Sequence, residues 1–155
     1  MTRTTERGSV SIEVAVLAPA FIALMVLAGV AGRTAVAAEA VESAAHDAAR
    51  AASISRTSGT ARQEALEAAQ KQLDWHGLAC TNVLEPGLTG SVAGVDTTFD
   101  LAFSSKVGED ATVTVTITCL VSLSDIALDL LPGMPSEKQI TAEFTSPLDR
   151  YRGRQ

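Results

Sequence analysis

The chain has 155 residues, 46% hydrophobic but only 4% aromatic, which allows one small domain plus a short appendage. A net charge of −6 and a pI near 4.8 argue against nucleic acid as a partner, because phosphate binding needs clustered Lys and Arg. Two Cys and two His are too few for the usual structural zinc site, and no Walker or dinucleotide-binding glycine loop occurs.

Residues 1–8, MTRTTERG, set Arg3 and Arg7 against Glu6, and the apolar stretch SVSIEVAVLAPAFIALMVLAGVAG follows. Between Glu13 and Arg33 no residue is charged. As a helix this run rises roughly 28 Å, close to the hydrocarbon thickness of a bilayer. A helix in a soluble core would carry a polar stripe at 3.6-residue spacing, and this run has none. The sequence therefore divides into a short basic N-terminus (1–8), an expected transmembrane helix (9–32) and a remaining domain (33–155).

Three readings of this N-terminus are open. One is a secretory signal peptide cut in the small-residue stretch AVAAEA (35–40), although the apolar run exceeds the usual ~7–15 residues. Another is a plain signal anchor. Under either, Glu13 is a carboxylate in the start of an apolar run, which costs a few kcal/mol unless it snorkels near the helix N-terminus. The third reading accounts for it. Gly8, four residues, Glu13 and then the apolar run resemble the type III signal of type IV pilins. That resemblance implies cleavage between Gly8 and Ser9 by a prepilin peptidase on the cytoplasmic side, with the helix retained. Gly at the scissile position permits close backbone approach. Glu13 would then lie near a new α-ammonium and pair with a neighbouring subunit's N-terminus in low dielectric.

RGSVSIEVAVLAPAF, Pro19 within it, the Gly32-Arg33 pair, HDAARAAS (46–53) and the C-terminal SPLDRYRG (146–153) resemble the TadE-like family, actinobacterial members in particular. The resemblance covers residues 7–53 and the C-terminal stretch. It implies a minor pilin or pseudopilin of the tight-adherence (Flp) pilus assembly system. Such a protein crosses the cell membrane once, N-terminus cytoplasmic and C-terminal domain exterior, and resides there or in the pilus. The implied partners are the membrane, the prepilin peptidase and other pilin or pilus-assembly subunits. Two positions depart from the pattern: Val14 stands where an aromatic often follows the Glu, and Ser9 is polar.

From Thr34 to Ser55 the sequence is Ala-rich without Pro or Gly, so the membrane helix is expected to continue as one rod, bent near Pro19, Gly29 or Gly32. Its small side chains suit close helix–helix approach. RTSGT (56–60) breaks it at Gly59. Thr60 and Gln63 fit a capping box opening a helix from Ala61 to about Trp75, with Leu66, Ala69, Leu73 and Trp75 as its buried face. Trp75 is expected to anchor the core. Further on, TTFDLAF (97–103) and ATVTVTITCLVSL (111–123) alternate as strands, with KVGED (106–110) as the hairpin turn between them. SDIALDLLPG (124–133) reads as a short helix stopped by Pro132 and Gly133. KQITAEFTS (138–146) reads as a further strand with Ile140, Ala142 and Phe144 on one side. The expected fold class is α+β, a long helix on a small antiparallel sheet, which is also the pilin-like arrangement.

Cys80 and Cys119 are the only cysteines. In an exported domain with a thin core an even pair reads as a disulfide, worth roughly 4 kcal/mol for a loop of this length. The other account is one buried thiol and one unrelated one. Residues 34–155 carry nine Lys and Arg against sixteen Asp and Glu, an acidic surface that suits the outer side of a membrane. Arg150, Arg152 and Arg154 read as a solvated basic tail. His46 and His76 form no recognisable catalytic set, and no H-E-x-x-H, G-x-S-x-G or C-x-x-C occurs. The expectation is no enzyme, no catalytic residue, no metal and no cofactor. The competing function is an independent secreted or anchored binding domain with a conventional signal sequence.

Overall fold

The computed structural model describes residues 9–78, 80, 86–124, 136–151 and 153. The chain runs through helix α1 (Ser9–Ile54), helix α2 (Ser58–Trp75), strands β1 (Gly87–Val92) and β2 (Val95–Thr98), the short helix α3 (Phe99–Phe103), and strands β3 (Ala111–Ser122) and β4 (Glu137–Pro147). The strands form one antiparallel sheet in the order β2-β1-β3-β4. This is the expected α+β class. The helix expected at 124–133 falls almost wholly outside the described residues.

Helix α1 is 46 residues long, roughly 69 Å at 1.5 Å per residue. It continues unbroken through Pro19, whose missing N–H leaves the Ala15 carbonyl without its intrahelical donor. The helix has two halves. Up to Val36 most of its large side chains, Ile12 to Met25 and Leu27 among them, are exposed, while Val26 and Val30 are half-buried. From Ala37 onward Ala37, Ala40, Val41, Ala44, Ala45, Ala48, Ala49 and Ala52 are fully buried. Serines end it: Ser53 and Ser55 Oγ donate to the Arg50 and Ala51 carbonyls, drawing acceptors away from the helix ladder.

Helix α2 turns back along α1 and buries Ala61, Ala65, Ala69 and Leu73, a stripe at four-residue spacing. The close approach that small side chains allow is thus realised between α1 and α2 within one chain. The cap differs from the expected Thr60–Gln63 box. Thr57 is the N-cap, its hydroxyl accepting from the Thr60 N–H, so the helix starts at Ser58 and carries Gly59 in its first turn. The expected buried face is corrected too: Leu66 is only half-buried and Trp75 is 84% exposed.

Strand β3 alternates as its sequence does, with Val113, Val115, Ile117, Cys119 and Val121 buried against the helices. Its threonines face outward, where Thr114 and Thr118 share hydroxyl hydrogen bonds of 2.8 and 3.1 Å with Thr145 and Thr141 of β4. The expected strand at 97–103 is corrected. Only Thr97 and Thr98 are strand, and Phe99–Phe103 is helix α3. The Thr98 hydroxyl caps it from the Leu101 N–H. A strand would put Phe99, Leu101 and Phe103 on one face, but Leu101 is 59% exposed while Phe99 and Phe103 stack at 5.0 Å between ring centroids. KVGED accordingly joins α3 to β3 and is no hairpin turn. The hairpin lies earlier, between β1 and β2, where Ala93 and Gly94 both take positive φ, 52° and 78°. That two-residue turn matches the right-handed twist of the strands.

Candidate functional site

The candidate site is the exposed apolar half of α1. Among the described residues one helix is long and apolar enough to cross a membrane, and its most apolar window is only 6% buried. The core helix of a soluble domain would be covered. Here Ile12, Val14, Val16, Leu17, Phe21 and Leu24 face outward, on every side of the helix. In water that surface is unfavourable by about 25 cal/mol per Å², so it requires a lipid or protein environment.

The residues singled out from the sequence are placed as follows. Gly8 lies outside the described residues. Ser9 is the first residue of α1, and Glu13 stands one turn further on, exposed. Cys80 and Cys119 are joined in a disulfide with Cα atoms 5.2 Å apart and a sequence separation of 39. It ties the chain leaving α2 to the buried face of β3. Arg150 is not part of a free basic tail: it pairs with Asp110, and its carbonyl accepts from the Gly108 N–H at 2.9 Å. Together with buried Leu148, whose N–H donates to the Ala111 carbonyl at 2.9 Å, it fastens the C-terminal segment to the start of β3. Arg152 and Arg154 lie outside the described residues.

The α+β body is held to α1 by specific polar and aromatic contacts. Ser146 Oγ donates to Ser53 Oγ at 3.0 Å in a buried pair. His46 meets the Phe144 ring edge-on at 4.4 Å and lies 3.2 Å from Asp47. Arg62 reaches from α2 to Asp100 of α3 at 2.8 Å and covers the Phe99 ring. The Arg62 hydrogen bond, assisted by one from Ser58, holds the Asp100 carboxyl below its ordinary value of 3.8. His46 therefore acts as a packing residue at the α1–β4 contact. Among the described residues no group of three or more His, Cys, Asp or Glu is placed to hold a metal ion.

One position that matters to the fold escaped sequence reasoning. Gly90 is buried beneath Ala102, and a Cβ there would stand 2.5 Å from the Ala102 Cβ. It carries no pattern signal: a glycine in a strand marks close approach only once its neighbour is known.

Residues 8–50 match the family model described as TadE-like protein. No curated protein and no solved structure matches the chain. The matched stretch begins at Gly8, takes in the whole exposed apolar half of α1, and ends in the alanine-lined half that forms the core. Residues 8–50 of this chain are a TadE-like segment.

Proposed function

We propose that this chain is a membrane-anchored, pilin-like structural subunit for assembly of a tight-adherence type IV pilus. The observation that supports it most is the division of α1 in a TadE-like segment: an exposed apolar half joined, without a break, to a half that is the spine of a small α+β body. One helix thereby serves as membrane anchor and as core. In this reading residues 9–32 cross the membrane, the N-terminus is cytoplasmic and residues 33–155 are exterior. A prepilin peptidase removes residues 1–8 by cutting between Gly8 and Ser9. Glu13 then pairs with the N-terminal ammonium of a neighbouring subunit. The role is assembly, with no catalytic step.

The helical state of residues 35–40 favours this over a conventional signal peptide. Ala37 and Ala40 are fully buried there, and cutting within the stretch would remove part of the core. The mass of the mature protein decides between them. A chain starting at Ser9 is expected; a start near Ala38–Glu39 would overturn the proposal in favour of an exported binding domain.

A further inference from the structure

Trp75 is the only tryptophan in the chain and is 84% exposed at the last residue of α2. Its position along α1 follows from the helix pair. Helix α1 ends at Ile54, and α2 begins at Ser58 and returns alongside it for 18 residues, roughly 27 Å. Its end therefore lies level with about Val36–Ala37. The cleft between the helices agrees: Gln72 lines it together with Glu39, Glu42 and Ser43, and Trp75 is one turn nearer the apolar half. That level is where α1 changes from exposed to buried, and it is four residues beyond Arg33, the first charge after the apolar run.

The distances match a bilayer boundary. Four helical residues rise about 6 Å. The headgroup layer on each side of the hydrocarbon is about 5–8 Å thick, given ~30 Å of hydrocarbon in ~40–45 Å overall. Tryptophan is enriched in that layer because its ring is apolar and its indole N–H needs a polar partner. Resting on the membrane-spanning reading of α1, we infer that Trp75 is a lipid-interface anchor, inserted among the headgroups beside Arg33 and fixing the height and tilt of the α+β body on the membrane. An exposed Trp that would be a liability in water then has an environment suited to both ends of its ring.

The chain supplies its own probe. Full-length protein reconstituted in phosphatidylcholine–phosphatidylglycerol vesicles is compared with two other single-tryptophan chains. One is Trp75→Phe with Leu24→Trp, a reporter within the apolar half. The other is Trp75→Phe with Tyr151→Trp, at a residue as exposed as Trp75 (84%) but at the far end of α1, where it shares a cleft with Ser53 and Ile54. Fluorescence is quenched by lipids labelled near the headgroup, by lipids labelled near the chain end, or by aqueous iodide. Trp75 is expected to show blue-shifted emission and quenching strongest with the headgroup-proximal label. The Leu24→Trp reporter should respond to the deep label, and the Tyr151→Trp reporter to iodide alone.

If Trp75 behaves like the Tyr151→Trp reporter while the Leu24→Trp reporter responds to the deep label, the anchor is overturned and the span stands. Loss of lipid quenching at the Leu24→Trp reporter overturns the span and the anchor with it. Shielding of Trp75 from iodide without lipid quenching, growing with the protein-to-lipid ratio, overturns the anchor in favour of contact with a second copy.

Discussion

Glu13 and Gly90 each rest on one local demand that a single substitution isolates. If Glu13 supplies the counter-charge to a neighbour's ammonium, Glu13→Ala leaves cleavage after Gly8 intact, since the scissile bond and leader are unchanged. Membrane insertion improves slightly, because a charge leaves the apolar run. Crosslinking between subunits in membranes falls, because the ammonium loses its partner in a low-dielectric setting, and Glu13→Gln is intermediate. Equal crosslinking of all three proteins would show that Glu13 only snorkels. At Gly90 the demand is steric. A Cβ would stand 2.5 Å from Ala102 Cβ and 3.1 Å from the Thr112 carbonyl oxygen, neither of which is the end of a flexible chain. Gly90→Ala should force α3 away from the sheet and destabilise the α+β body by about 1–3 kcal/mol. An unchanged denaturation midpoint would show that α3 yields freely. Glu13 could be singled out in the sequence because its spacing from Gly8 is local. Gly90 was not, because the atom that excludes a side chain lies on another element.

Among the elements, α3 shows how two periods compete for the same residues. TTFDLAF satisfies period two through Phe99, Leu101 and Phe103, and also places Phe99 and Phe103 four apart on one helix face. The helix wins because Thr98 caps it, Asp100 lies in its first turn, and Arg62 of α2 holds Asp100 at 2.8 Å. Since Arg62 lowers the Asp100 pKa in the folded state, the pair's stabilisation is present above the ordinary value of 3.8. It is lost as pH falls from there through the lowered folded value. Both groups face solvent, so the effect is small and screened by salt. Asp100→Asn should lower the melting temperature slightly at neutral pH, and the gap from wild type should close well below pH 3.8. A gap of constant size across that range would mean that the carboxylate charge plays no part. Strand β3 posed no such ambiguity: twelve residues of fault-free alternation leave no helical face to bury.

On the scale of the whole molecule, the core begins at Ala37 and draws on no earlier residue among those described. A protein of residues 34–155 exported to an oxidising compartment should therefore fold alone, with Cys80 and Cys119 protected from alkylation and a cooperative thermal transition. Its solubility without detergent should separate it from the full chain, whose exposed apolar half remains unfavourable in water. A non-cooperative melt, or free thiols before denaturation, would mean that the first half of α1 is needed for the body to fold. Most of the buried residues on α1 and α2 are alanines, each contributing little. The 39-residue loop closed by the disulfide, worth roughly 4 kcal/mol in the chain-entropy model, is correspondingly important to so thin a core.

The sequence by itself determined the apolar run, the long α1, the strand at 111–123, the strand at 138–146, the α+β class and the cysteine pairing. Each depends on short-range periodicity, on the length of an uncharged stretch, or on there being only two thiols to pair. Tertiary structure alone decided the rest. It placed the β1–β2 hairpin, whose glycines interrupt the alternation that would announce it, and it turned 99–103 into a helix by capping and long-range pairing. It put the alanine stripe of α1 against α2 and the sheet instead of another membrane helix. It also left Trp75 outside the core. A helix shows its side chains in all directions, and which of them is buried depends on where its neighbours lie. Here α2 buries the stripe from Ala61 to Leu73 and ends with its one tryptophan turned away, at the level where the exposed half of α1 begins.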